Sequence, residues 1–203
     1  MKKKQLLINN YHTHTFRCGH AHGEDEEYVK AAIKYGYKEL GFSDHIFYHN
    51  LPQPGIRQNE SDYDDYVASI TFLKNKYKDK LKILIGYESE YQPSFHNFYL
   101  NLLIEGKIEY LILGNHCFID NSGHYIWYNS FCNDKQHLNM YITNTIEGMK
   151  SGLFAYVAHP DIILNSYDIE DLYVTNKILE LLPECEDAQK IVDEIKEKGS
   201  NQK

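Results

Sequence analysis

Residues 11–20, Tyr-His-Thr-His-Thr-Phe-Arg-Cys-Gly-His, carry three histidines within nine residues, beside one of only two arginines in the 203-residue chain. In an extended segment His12 and His14 share a face, about 6.6 Å apart along the backbone and within reach of a single ion. His20 lies beyond a glycine and can turn back to the same mouth. Imidazoles mixed with carboxylates suit Zn, Fe or Mn. The other residues of this chemistry are Asp44-His45, Glu88, His116 and His159, and each follows a short apolar run.

Those runs alternate with helical patterns. Gln5–His14 is expected to form a first strand, Glu24–Tyr35 a helix with Val29, Ala32 and Ile33 on one face, and Lys38–Ser43 a second strand. A loop containing Pro52, Pro54, Gly55 and Arg57 leads to a helix capped by Ser61-Asp62 and running to about Tyr77, with Tyr66, Ile70 and Leu73 inward. Lys82–Tyr87 reads as a third strand, Ser94 caps a helix to Glu105, and Tyr110–Gly114 reads as a fourth strand. The 3-4-3 spacing of Leu138, Tyr141, Ile142, Thr145, Ile146 and Met149 marks a further helix, stopped by Gly152, and Phe154–Ala158 a fifth strand. Near-continuous apolar strands alternating with helices indicate a parallel sheet or β/α barrel. Such barrels gather their chemistry at the carboxyl ends of the strands, where these five strands place His-x-His, Asp-His, Glu, His and His.

Composition narrows the partners. A net charge of −8 without a basic stripe argues against nucleic acid. No apolar run approaches the roughly 20 residues of a membrane span, and Leu6-Leu7-Ile8 is too short for a signal-peptide core. The cysteines at 18, 117, 132 and 185 make no CxxC pattern, which points to a reducing cytoplasm. Clustered ions that bind phosphate oxygens and lower the pKa of water toward about 7 fit the hydrolysis of phosphate esters.

The segments His12-Thr13-His14, Cys18-Gly19-His20-Ala21, Gly41-Phe42-Ser43-Asp44-His45, Gly86-Tyr87-Glu88, Gly114-Asn115-His116 and Ala158-His159-Pro160-Asp161 resemble the PHP (polymerase and histidinol phosphatase) superfamily, in its histidinol-phosphatase branch. The resemblance covers about residues 5–165 of one domain spanning 1–203, with 166–203 a divergent helical tail. It implies an α/β fold, a PHP-type distorted (β/α)7 barrel with a trinuclear metal site. By that resemblance His12, His14 and Glu88 hold one ion, Glu88, His116 and His159 a second, and His20 and His45 a third. Glu88, His116 and His159 would then serve the catalysis, in which a metal-activated hydroxide attacks phosphorus. The family's final Asp-x-His is not found after Asp161. That leaves a barrel incomplete at its C-terminus, two or three divalent ions, and an open sheet edge that favours a homo-oligomer.

Simpler roles compete with these. A strand-end histidine or acid can merely satisfy backbone groups. Arg17 and Arg57 have the planar fork that suits a phosphate dianion, yet each could equally form a salt bridge. Asp44 could orient a histidine or cap a strand. Cys18 and Cys117 flank ligands, but no Cys/His pair marks them as nucleophiles, and His22, His49, His96, His124 and His137 fall away from the strand ends. The reading is a metal-dependent phosphatase of cytoplasmic histidine biosynthesis that acts on a small phosphorylated substrate, L-histidinol phosphate. Its alternatives are a metal-binding remnant or regulatory module, or a PHP phosphatase for another phosphomonoester.

Overall fold

The alternating pattern builds a four-stranded sheet in the computed structural model of the chain, which describes residues 8–128, 134–167 and 170–179. Strands β1 (Asn9–Asn10), β2 (Glu39–His45), β3 (Lys82–Ser89) and β4 (Tyr110–Leu113) lie in that order. β1 and β2 run parallel, as do β2 and β3, and the register sets Phe42 opposite Ile85 and His45 opposite Glu88. Helices α1 (Asp25–Lys34), α2 (Tyr63–Tyr77) and α3 (His96–Ile104) make the crossovers, and α4 (Lys135–Lys150) and α5 (Leu172–Leu179) follow. A two-stranded hairpin, β5 (Cys117–Ile119) and β6 (Tyr125–Trp127), occupies the excursion after β4. Among the described residues no helix is long and apolar enough to cross a membrane.

The chain divides into two compact units. The first comprises the described parts of Met1–Ser89, Ser94–Ile112 and Leu153–Tyr156; the second comprises those of Glu90–Pro93, Leu113–Gly152 and Val157–Lys203. In the first, β2 is buried from Leu40 to His45, as befits a strand covered on both faces. α1 contributes buried Val29 and Ala32, and α2 contributes Tyr66, Ile70 and Leu73, the inward positions expected from their spacing. In the second, Leu138, Tyr141 and Ile142 of α4 form a core with Tyr128, Ile163, Tyr167 and Val174.

Several boundaries differ from the sequence pattern. The first strand's ladder is confined to Asn9–Asn10; beyond it the chain stays extended, tied by the Ser43 N–H to the Thr13 carbonyl at 2.8 Å. The fifth strand shrinks to one parallel bridge between Leu113 and Val157, and it cannot extend past Ala158 because His159 turns the chain at φ +31° and Pro160 has no N–H to continue a ladder. Asp62 stands at the N-cap position of α2 as expected but makes no side-chain cap bond there; it pairs instead with Asn59 in a capping box around the preceding 3-10 turn. A second 3-10 turn at Pro93–Phe95 displaces the cap expected at Ser94. Within the expected helical tail, Leu172–Leu179 forms α5; residues 168–169 and 180–203, like Gln5–Leu7 of the expected first strand, lie outside the described residues.

One tyrosine joins the strands beneath the histidines. Tyr110 of β4 donates its hydroxyl to the carbonyls of Tyr11 at 2.9 Å and Phe42 at 3.0 Å. Its ring fills the space that Gly41 and Gly86 leave open, and a Cβ on Gly86 would stand 2.5 Å from a ring carbon. Burial pushes the Tyr110 phenol well above its ordinary pKa, so it stays a donor. Gly41→Ala and Gly86→Ala are each expected to lower stability by about 1–3 kcal/mol in urea unfolding, the cost of overpacking a fixed ring. Unchanged midpoints would show that the tyrosine is not held there.

Candidate metal centre

β3 delivers Glu88 to the end of the sheet with its side chain 1 % exposed. Its Oε2 lies 2.9 Å from His12 Nε2, 3.1 Å from His14 Nε2 and 3.5 Å from His45 Nδ1. The two Nε2 atoms are themselves 3.1 Å apart, and the rings of His12 and His14 are 5.1 Å apart between centroids. The i, i+2 spacing therefore places both imidazoles on one face. His20 completes the group, its ring 5.2 Å from that of His14 and 5.0 Å from that of His45.

These distances bear on whether the residues fit an ion. Ligand atoms held about 2.0–2.1 Å from one metal stand about 2.9–3.4 Å from each other, across octahedral to tetrahedral geometry. The triangle of His12 Nε2, His14 Nε2 and Glu88 Oε2 has sides of 2.9, 3.1 and 3.1 Å. Two nitrogens and a carboxylate oxygen so placed suit a borderline divalent cation. The triad His14, His45 and Glu88 likewise keeps its ligand atoms within 4.8 Å of one another.

Carboxylates behind the histidines fix their direction. Asp44 is fully buried beneath this cluster, accepts the Thr15 N–H at 2.6 Å and the Thr15 hydroxyl, and lies 3.7 Å from His14 Nδ1. It thus draws the Nδ1 side of His14 away from Glu88 and leaves Nε2 facing the triangle. Burial raises the Asp44 pKa, and the two Thr15 contacts oppose that rise. Cys18, with no exposed surface, sits 3.8 Å from both His14 Nδ1 and His20 Nε2. Burial first, then the Asp44 charge, pushes its thiol up to about 12, which favours the neutral thiol over the thiolate in the metal-free chain.

The second unit gathers His116 and His159, with ring centroids 4.8 Å apart. His116 Nδ1 lies 2.9 Å from Oε1 of Glu90, whose side chain is 3 % exposed. α4 anchors both segments: Asn115 donates to the Tyr141 carbonyl at 3.1 Å, and the Tyr141 hydroxyl donates to the Pro160 carbonyl at 2.8 Å. His159 holds φ +31°, a costly conformation for a residue with a Cβ and one found preferentially at functional positions.

The arginines stand differently from the histidines. Arg17 is engaged by Asp25 and Asp65, with its side chain 5 % exposed. Arg57, 2 % exposed, donates from Nε to Gln53 at 2.7 Å and stacks its guanidinium 4.7 Å over the Tyr48 ring. His49 and His124 pair with Glu60 and Asp120 at exposed positions. One residue escaped the sequence reading. Glu90 repeats the i, i+2 step of His12-x-His14 from Glu88, a signal that was available.

Beside His12, His14 and His20 opens a cavity of about 430 Å³, bounded further in by Tyr28, Tyr37 and Leu40. That is within the usual size of a small-molecule site.

Several known proteins are similar to this chain. Two curated relatives are described as probable histidinol-phosphatases. The one from Deinococcus radiodurans is 28 % identical over 107 residues, 49 % of this chain. That from Schizosaccharomyces pombe is 29 % identical over 110 residues, 50 % of this chain. The matched stretches span 41 % and 36 % of the length of those two proteins. A crystal structure of a candidate histidinol phosphatase from Listeria monocytogenes superposes with a TM-score of 0.60 at 22 % identity, covering 85 % of this chain and 78 % of that one. The histidinol phosphate phosphatase of Lactococcus lactis, crystallised with Zn, L-histidinol and phosphate, gives 0.65 at 19 % identity, covering 87 % and 68 %. Both share the α/β fold described above. The PHP domain family model matches residues 10–201, almost the whole chain, and the protein therefore belongs to the PHP domain family.

Proposed function

We propose that this chain is a metal-dependent phosphomonoesterase whose substrate is L-histidinol phosphate, cleaved to histidinol and phosphate in histidine biosynthesis. The observation that carries the reading is the meeting of three imidazole nitrogens on one oxygen of the buried Glu88. The names of the two curated relatives, and the ligands bound to the Lactococcus lactis protein, support the choice of reaction and substrate. In this reading His12, His14, His20, His45 and Glu88 hold divalent ions in the first unit, and His116 and His159 supply ligands in the second. The ions are zinc, manganese or iron. When bound, they polarise the phosphate oxygens and bring the pKa of water toward about 7.

The chain's own residues prepare that chemistry. Glu88 supplies negative charge where cations must collect, and its burial keeps water from screening it. Asp44 orients His14, and Glu90 takes the Nδ1 side of His116, so that in each ring Nε2 is the atom left for an ion. The cavity next to His12 and His14 gives the body of a small substrate somewhere to lie while its phosphate reaches the histidines.

Chelated protein is expected to release no phosphate from L-histidinol phosphate above background. Adding Zn or Mn should restore turnover in the wild type but not in Glu88→Ala. Phosphate release by the fully chelated protein at the metal-loaded rate would contradict the reading. Across a panel of phosphomonoesters, L-histidinol phosphate should show the highest kcat/KM. If a nucleotide, sugar phosphate or phosphotyrosine peptide ranks above it, the phosphatase stands and the substrate assignment falls.

A further inference from the structure

The stretch that carries the histidines leaves the ladder after Asn10, so something other than sheet hydrogen bonds must fix it. Between His14 and His20 lies a 3-10 turn, Phe16–Cys18, ended by Gly19 at φ +85°. Five residues with so few backbone partners would let the two imidazoles drift relative to each other. Arg17 stands midway, three residues from each histidine.

Its guanidinium is bound on every nitrogen. Nη1 donates to both carboxylate oxygens of Asp25, at 3.0 and 2.9 Å, and to the Thr15 hydroxyl oxygen at 3.2 Å. Nε and Nη2 donate to Asp65 at 2.9 and 2.7 Å. Asp25 opens α1 and also accepts the Ser69 hydroxyl at 2.5 Å, while Asp65 lies in the first turn of α2. One planar fork thus ties the histidine loop to the amino ends of two helices. The tie continues inward, since Thr15 donates its N–H and hydroxyl to Asp44, and Asp44 faces His14 Nδ1. A phosphate dianion approaching this guanidinium would meet two carboxylates already in place, and their repulsion offsets the attraction of a single cation.

We infer that Arg17 is a positioning residue: it clamps the His14–His20 loop through Thr15 and Asp44, and so sets the geometry in which those imidazoles bind an ion, without contacting the phosphate. The inference rests on the metal reading of the histidine cluster. Lysine cannot replace it, because one ammonium cannot span Asp25, Asp65 and Thr15 as a fork does.

The test measures zinc affinity by competition with a chromophoric chelator, without substrate, in wild type, Arg17→Gln, Arg17→Lys and Asp65→Asn. Partners one layer behind metal ligands change affinity about 10–100-fold, and Arg17→Gln and Arg17→Lys should fall at the lower end, near 10-fold. Asp65→Asn, at a position 70 % exposed and so safe for folding, should weaken zinc binding in the same direction although the arginine remains. Inhibition by inorganic phosphate at saturating zinc should be unchanged in all three. Wild-type zinc affinity in the folded variants would overturn the inference. So would a 10-fold or larger loss of phosphate inhibition at saturating zinc in Arg17→Gln, which would make Arg17 a phosphate ligand. Long-range 1H–15N spectra of the metal-free protein separate this failure from that of the metal reading. If the wild type binds no zinc, the metal reading falls. The clamp is then judged by whether Asp65→Asn converts the His14 ring from one tautomer to a mixture, and an unchanged ring would overturn it.

Discussion

Glu88 lies next to the last residue of β3 with its carboxylate out of water, and a charge so placed costs several kcal/mol unless other groups compensate it. A sheet interior supplies no such groups. They have to be carried in from neighbouring strands, and the parallel register does this by setting His45 opposite Glu88 on β2. His12 and His14 arrive from the extended segment beyond β1. Imidazoles are suited to this position because they are neutral when unprotonated, can donate to the carboxylate alone, and can share an ion with it when one is bound. The contacts pair the buried carboxylate, and the same atoms stand at the spacing an ion requires.

The architecture around Glu88 keeps that arrangement rigid. Tyr110 reaches from β4 beneath Gly86 and Gly41 to the carbonyls of Phe42 and Tyr11, so one side chain links β4, β3 and β2 to the segment just beyond β1. The two glycines are required by that close approach, since any Cβ there would occupy the space of the ring. On the outer side, Arg17 joins the loop to α1 and α2, and Asp44 lies between that clamp and His14. The site is thus held from the sheet by an aromatic strut and from the helices by charge. In the second unit α4 does the same work with neutral groups, through Asn115 and the Tyr141 hydroxyl.

Much of this was legible in the sequence because parallel strands and amphipathic helices leave period and burial in the residue order. The strand ends at His45 and Glu88, and the inward faces of α1 and α2, follow from local patterning alone. The fifth strand did not follow, because its apolar residues match a strand while His159 and Pro160 break the ladder, and which tendency wins depends on hydrogen bonds to Leu111 and Leu113. The side-chain cap bonds expected where α2 and α3 start do not form, because 3-10 turns intervene. Arg17 shows the limit most clearly. Its chemistry suits a phosphate, but its neighbours Asp25 and Asp65 lie 8 and 48 residues away, and only folding reveals that they surround it. Glu90 differs in that its i, i+2 step from Glu88 was visible in the sequence, while its partner His116, 26 residues later, was not.

The central claim is that His12, His14 and Glu88 form a binding site for a divalent ion, and X-ray absorption at the zinc edge of the reconstituted protein tests it most directly. The account predicts nitrogen and oxygen neighbours at about 2.0–2.1 Å with the outer-sphere scattering of at least two imidazoles, weakened in a His12→Ala, His14→Ala variant. A first shell containing sulfur, or one without imidazole scattering, would contradict it.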